Sequence, residues 1–408
     1  MSELAFKEWG RPRTLILTAN EAHILARHAY AVRCEDRGGG RYRVGPVPGY
    51  VGSLRLSASK TLTITPKLPL DSFAALLSLA YDEEAIPIRS DHVGVGVGDL
   101  SAWCIAQTVA EAQRLMASGI RRDYVPIEEH RSYPRGRLQF SGTSPRYDGA
   151  LSCVTDEFVL DTEINRYVKA GLKYLSTIDL ARPWNVTLRS LFAELSGITN
   201  VPWRPSDCDF LKRPIFREYR PLISLLRLIA NSHGSEFNDG SLDVSAFFFR
   251  LHDLFELAIY RIMRRVGQAA SVVYQPPLRN VAVRLSGSPD LGITFRPDVA
   301  VKAPTAAIQS ANGKWRLVID AKYRNPIAIA QYRRAFRNDN IYQIMSYGRV
   351  FQCPGLLVYP RVDQDVDITY RVGDASIGIR TVNLLAPNLI DEMTAFAAMA
   401  LNDFATPA

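Results

Sequence analysis

The stretch "LVIDAKYR", residues 317–324, is written in a two-residue period. On an extended chain alternate side chains share a face, so Leu317, Ile319, Ala321 and Tyr323 lie together and Val318, Asp320, Lys322 and Arg324 lie opposite. Residues i and i+2 are then roughly 6 to 7 Å apart. Two readings of the charged face are open. It is the solvated side of a half-buried strand, or it is an acid and an ammonium group set next to each other for chemistry.

A second stretch has the same design. In "FRPDVAVK", residues 295–302, Phe295, Pro297, Val299 and Val301 alternate with Arg296, Asp298, Ala300 and Lys302. If the two strands are neighbours, Asp298 and Asp320 converge on one cation, and their separation of 22 positions leaves room for a connection. Magnesium suits such a pair because it prefers hard oxygen ligands and retains several waters. It can supply a nucleophilic water and relieve charge during phosphodiester hydrolysis, with Lys322 orienting that water. The plainer alternative is ordinary cross-strand pairing of Asp298 and Asp320 with Lys302, Lys322 or the arginines, worth roughly 0.2–1 kcal/mol per pair. Pro289-Asp290, in the turn-like "SGSPDLG", is a rival first ligand; Asp298 is preferred for its place in an alternating strand.

Glu256 sits in "LHDLFELAIYRIM", a helix apolar over much of its circumference. A carboxylate buried there needs a partner, since breaking a buried pair costs about 3–5 kcal/mol. A metal site, a catalytic lysine or simply Arg261 would serve. Gln343 and Tyr347, in "DNIYQIMSYG", stand at i and i+4 and share a helical face. They either contact substrate and brace Lys322 or pack half-buried. Upstream, "QYRRAFR" interleaves Tyr332 and Phe336 with Arg333, Arg334 and Arg337, which suits nucleic-acid backbone contact or a solvated basic face.

The rest of the chain bounds the function class. Its 408 residues suggest two or three domains. Lys and Arg number 49 against 41 Asp and Glu, a net charge of +8 that favours polyanionic partners. Five dispersed cysteines without a Cys-x-x-Cys pair fit reduced thiols better than a disulfide framework, and the six histidines do not cluster as a zinc site would. With no apolar run long enough for a signal peptide or a membrane span, a soluble cytoplasmic chain is expected. "VGVGVGDL" lacks the spacing of a dinucleotide or phosphate loop.

Along the chain, the first 70 residues read as β-rich, with a hairpin in "VGSLRLSASKTLTITPK". Helices follow in "DSFAALLSLAY", from Leu100 to about Met116 with Asp99 as cap, and after Asp161 or Thr162. The arginine-rich passage "RRDYVPIEEHRSYPRGRLQF" reads as a solvated loop and hairpin, with a basic contact surface as the alternative. Residues 231–241, "NSHGSEFNDGS", mark a linker. A helix over about 243–266, several strands, a helix over about 338–351, the strand "GLLVYP" and a last helix complete an α/β order.

Together "RPDVAV", "LVIDAKYR" and "DNIYQIMSYG" resemble the PD-(D/E)xK nuclease superfamily, in the branch whose later helix carries Gln-x-x-x-Tyr. "LTITPKLPLDSFAALLSLAY", "RGRLQF" and "DEFVLDTEINRYVKAGLKYL" look like the McrC subunit of modified-cytosine restriction systems. The resemblance implies metal binding by Asp298 and Asp320, catalytic support from Lys322, an auxiliary acid at Glu256, and Gln343 and Tyr347 beside the site. It further implies Mg²⁺ or Mn²⁺ as cofactor, modified DNA as substrate, and docking on a hexameric McrB-like AAA+ GTPase. That partner would bind the GTP, and docking would stimulate its hydrolysis.

The expected fold is therefore α+β. Residues 1–232 form an N-terminal mixed β/helical adaptor, and residues 233–408 an α/β PD-(D/E)xK endonuclease domain with a central mixed sheet flanked by helices. The rival readings are a non-catalytic, DNA-binding adaptor subunit and a stand-alone repair nuclease.

Overall fold

Trp315–Ala321 is a strand, and its neighbours account for its composition. In the C-terminal stretch, α1 (Leu251–Val266) precedes β1 (Val272–Tyr274), β2 (Val299–Lys302) and β3 (Trp315–Ala321). Then come α2 (Asn338–Phe351), β4 (Gly355–Pro360), β5 (Asp367–Val372), β6 (Ala375–Val382) and α3 (Leu389–Asp403). The six strands form one mixed sheet in the order β1-β2-β3-β4-β6-β5. β2 is antiparallel to β1 and β3, β3 runs parallel to β4, and β4 parallel to β6. A separate two-stranded ribbon joins Ile327–Ala330 to Arg333–Phe336.

β3 thus lies inside the sheet. Leu317 through Ala321 are all buried, with Asp320 only 1% exposed. Of the two open readings of the charged face, the solvated one does not hold, since Asp320 is buried. A strand covered on both faces is apolar almost continuously, and a charge within it is a buried charge. Burying each of Leu317, Val318 and Ile319 stabilises the fold by roughly 1.5–3 kcal/mol. α2 covers one face, where Ile344 and Phe351 join Ala300, Val318, Leu357, Ile377 and Ile379 in one core. α1 packs against β3 as well, and Phe255 meets the ring of Tyr323 edge-on at 6.0 Å. Gly355 lets α2 approach: a Cβ there would lie 2.6 Å from Ile344 Cγ1.

The computed structural model describes residues 2–57, 59–81, 100–139, 151–206, 214–232, 246–267, 271–276, 294–303, 315–330, 333–362, 364–373 and 375–404. The linker reading at 231–241 falls mostly outside them, as do "VGVGVGD", the capping reading of Asp99 and the rival ligand Asp290. The chain divides into two compact units, each discontinuous in sequence. One comprises Met1–Gly52, Ser59–Ser90 and Phe248–Ala408, and the other Ser53–Ala58 and Asp91–Phe247. A single cut at residue 232 does not describe this interleaving, because the N-terminal strands fold together with the C-terminal sheet.

In the first unit, Ser2–Lys7 pairs in parallel with Lys60–Thr65. Arg13–Ile16, Arg41–Pro46 and Val32–Asp36 form a small antiparallel sheet, and the helix Leu70–Tyr81 packs on α1. The expected helix over 243–266 begins later, at Leu251, because Ala246–Arg250 is a strand. Its Phe247-Phe248-Phe249 run favours a pleated surface, and Phe249 meets Phe73 edge-on at 5.3 Å.

In the second unit, the helix Leu100–Ser118 is longer than expected by two residues, and Glu163–Thr177 is capped by Thr162, whose hydroxyl accepts from Asn165 N–H. The arginine-rich passage forms the strand Asp123–Arg131, paired antiparallel with Leu151–Val159. Among the described residues no helix is long and apolar enough to cross a membrane.

Candidate active site

Register decides whether the two aspartates can act together. Val299 on β2 stands opposite Ile319 on β3, so the residue before β2, Asp298, falls across from Asp320. Residues directly opposite on an antiparallel pair point to the same face. Here that face is the one covered by α2, shared with Ala300 and Val318. Both carboxylates are buried, Asp298 at 9% and Asp320 at 1% exposure. Asp298 Oδ2 accepts from Ala321 N–H at 2.7 Å, and its carbonyl accepts from Gln275 N–H at 2.8 Å. Lys322, just past the end of β3, returns its Nζ to within 2.8 Å of Asp320 Oδ2.

The two buried carboxyl groups of this cluster stand close enough to repel each other. Burial, then the neighbouring Asp320 and Glu256 carboxylates, push Asp298 up to about 8, against the opposing pull of Lys322 and the Ala321 N–H. Asp320 Oδ2 lies in its ion pair but has no well-directed hydrogen bond, so a buried carboxyl oxygen keeps lone pairs for an electrophile. Among the described residues no group of three or more histidine, cysteine, aspartate or glutamate side chains is arranged to hold a metal. A two-carboxylate set of this kind does not enclose an ion by itself. It fits one that keeps most of its waters, as magnesium does.

Glu256 reaches the cluster from α1. Its Oε1 accepts from the Gln275 side-chain amide, and the Tyr274 hydroxyl also bonds to it. The Arg261 guanidinium lies over the ring of Tyr260 at 5.4 Å. The partners seen for Glu256 come from β1 and its end.

The α2 pair lies where the helical spacing sets it. Gln343 Nε2 donates to the Tyr347 hydroxyl at 3.0 Å, and that hydroxyl donates to the Arg296 carbonyl at 3.2 Å. Burial raises the Tyr347 phenol, with Asp320 and Asp298 adding to the shift and Lys322 opposing it. The pair is half-buried and engaged with the backbone beside Asp298. Arg337 is exposed at the start of α2. Arg333 and Arg334 belong to the ribbon strand Arg333–Phe336, and their side chains lie outside the described residues.

Two residues near the cluster were not singled out by the sequence reading. Gln275 holds a left-handed backbone, φ +41°, uncommon outside glycine. Its side chain links two neighbours: the amide donates to Glu256, and Oε1 accepts from Arg296. No spacing rule marks it, because its partners come from α1 and from the residues before β2. His252 Nδ1 faces the Tyr323 N–H at 3.5 Å, and burial followed by Lys322 lowers its imidazole. Replacing Gln275 by alanine takes from the buried Glu256 carboxyl one of its two donors and is expected to destabilise the fold by about 1 kcal/mol. Thermal melts measure this, and an unchanged melting temperature would show that the contact contributes nothing to stability.

With this geometry in view, the comparisons with known proteins are specific. The profile of the family described as "McrBC 5-methylcytosine restriction system component" matches residues 47–360, most of the chain. The chain belongs to the McrBC restriction family. It is 25% identical over 350 residues to the "Type IV methyl-directed restriction enzyme EcoKMcrBC" of Escherichia coli (strain K12), covering 78% of this chain and 93% of that protein. Its fold matches a chain of the refined half-complex from the tetradecameric assembly of Thermococcus gammatolerans McrB AAA+ hexamers with bound McrC. The TM-score is 0.56 at 17% identity, over 98% of this chain and all of that one. The McrBC match spans both compact units, including the strands that carry Asp298 and Asp320.

Proposed function

We propose that this McrBC-family chain is the cutting subunit of a modification-dependent restriction complex, a Mg²⁺- or Mn²⁺-dependent DNA endonuclease of the PD-(D/E)xK type. The observation that carries this reading is the placement of Asp298 across from Asp320 with Lys322 ion-paired alongside. Asp298 and Asp320 would hold the divalent ion, and the raised Asp298 carboxyl is what two acids awaiting a cation should show. When bound, the ion supplies Lewis acidity and a water acidic enough to attack phosphorus.

Lys322 orients that water and offsets the negative charge that builds on the phosphoryl oxygens. Glu256, held by Gln275, serves as the auxiliary acid that keeps the local field negative. Gln343 and Tyr347 brace the backbone next to Asp298 through the Arg296 carbonyl.

The partner is an McrB-like AAA+ GTPase hexamer, which binds GTP and reads the modified cytosine. The McrBC family match and the likeness to an assembly in which McrC is bound to McrB AAA+ hexamers support the hexameric partner. Residues of the N-terminal half carry the docking and stimulate GTP hydrolysis. Digesting methylated and unmethylated DNA with and without GTP and the McrB-like protein tests the reading. Cutting is expected only with methylated DNA, GTP, Mg²⁺ and both proteins present. Cutting by the isolated chain, indifferent to GTP and methylation, would instead mark a stand-alone nuclease.

A further inference from the structure

Beside Lys322 opens a cleft of about 780 Å³, formed wholly within the first compact unit. One wall comes from the N-terminal segments, with Trp9, Arg33 and Tyr50 facing in. The other comes from the C-terminal sheet and helices, with Arg250, Lys322, Arg324 and Arg337. Five cationic side chains therefore line it against one acid, Asp339. That acid is already 3.3 Å from Arg324, and Arg250 is 3.3 Å from Asp253 outside the cleft lining. Arg33 and Arg337 are exposed and form no ion pair among the described residues. Two cations unneutralised by protein, one on each wall, call for an anion between them.

The walls are fixed to each other. Leu251 N–H, at the start of α1, donates to the Gly49 carbonyl at 2.8 Å. The buried carboxyl of Glu8, next to Trp9, bonds to the hydroxyl of Tyr323, the residue after Lys322. Tyr50 is backed edge-on by Tyr30 at 5.7 Å. An aromatic platform beside ordered cations is the arrangement that binds an unpaired nucleic-acid strand, by stacking on bases and pairing with phosphates. The cleft volume lies within the roughly 300–1,000 Å³ that encloses a small ligand, so it suits a short length of one strand. It begins at Lys322, whose ammonium reaches Asp320.

We infer that the N-terminal sheet forms one wall of the substrate groove, with Arg33 pairing a phosphate of the DNA strand that leaves the scissile position and Trp9 and Tyr50 stacking on its bases. This rests on the nuclease reading of Asp298, Asp320 and Lys322. It adds to that reading a second role for the N-terminal half, substrate contact besides partner docking.

The test is binding without cutting. A labelled 12-nucleotide single strand is titrated onto the full chain in EDTA, by fluorescence anisotropy, over a series of salt concentrations. Arg33→Ala should weaken binding about 5- to 20-fold and lower the salt slope by about 0.7, the value for one single-strand phosphate contact. Arg33→Lys should restore most of the slope, and melting temperatures should show each variant folded. Unchanged affinity and slope in Arg33→Ala and in the charge-reversed Arg33→Glu would overturn the groove. So would a mononucleotide that binds as tightly as the 12-mer with the same dependence on Arg33. Should Arg33 matter for binding while Asp320→Asn still cuts DNA with the partner present, the groove stands and the assigned cutting site fails.

Discussion

Replacing Asp320 by asparagine, or Lys322 by alanine, is expected to lower DNA cleavage about 10²- to 10³-fold while leaving stimulation of the partner's GTP hydrolysis intact. The magnitude follows from the proposed role of both groups beside the developing charge, where loss of a single preorganised electrostatic contact costs about 10²–10³ in rate. Asp320→Asn keeps shape and removes only charge, so the half-buried Lys322 ammonium loses its 2.8 Å partner and the proposed cation site loses a ligand. Lys322→Ala leaves Asp320 buried with no ammonium beside it, which also costs stability, about 3–5 kcal/mol for a broken buried pair. GTPase stimulation is the internal control for folding, since it depends on docking and not on phosphodiester chemistry. Full-rate cutting by both variants, assayed with the partner, GTP and methylated DNA, would dismiss the assigned site.

The second large effect concerns pH. Asp298 is held at about 8 in the folded chain and titrates near 4 when unfolded, chiefly because of burial and then because of Asp320 and Glu256. A carboxyl raised on folding stabilises the protein fully below its unfolded value, and that contribution is lost as pH rises through the folded value. The metal-free protein should therefore lose stability steadily between about pH 4 and pH 8, by an amount on the order of a few kcal/mol.

A divalent ion bound at the proposed site would reverse the effect by replacing the proton, so stabilisation by Mg²⁺ should grow over the same window. Thermal melts at several pH values, with and without Mg²⁺, measure this. Asp298→Asn should flatten the pH slope, raise the metal-free melting temperature at pH 8 and abolish most of the Mg²⁺ effect. A variant that keeps both the slope and the Mg²⁺ shift would show that Asp298 is not the group that exchanges proton for cation.

Both predictions draw on residues visible in one dimension, and the reason is the strand's period. Asp320 and Lys322 are two residues apart on a chain that alternates, so their common face could be read before any fold was known. The i, i+4 spacing of Gln343 and Tyr347 likewise encodes their contact, seen as a 3.0 Å hydrogen bond. The start of the helix at Glu163 was legible from Thr162 for a similar reason, since a cap is a local bond. What stayed open was exposure. The charged face of β3 could be solvated or covered, because a half-buried strand and a buried strand bearing two charges differ only in what lies on top of them. The helix α2 that lies there is some twenty residues away in sequence.

The sequence alone therefore determined the chemical types of the candidate cluster, the strand that carries Asp320 and the helix that carries Gln343 and Tyr347. These depend on spacings of two to four residues, within reach of local backbone geometry. Only the tertiary structure decided that Asp298 stands across from Asp320, that Glu256 is held by Gln275, and that Trp9, Arg33 and Tyr50 line one cleft with Lys322. Those contacts join residues 19 to more than 300 positions apart. Register, sheet order and the docking of the N-terminal strands set them through burial of the common core, and no local period in the chain records that outcome.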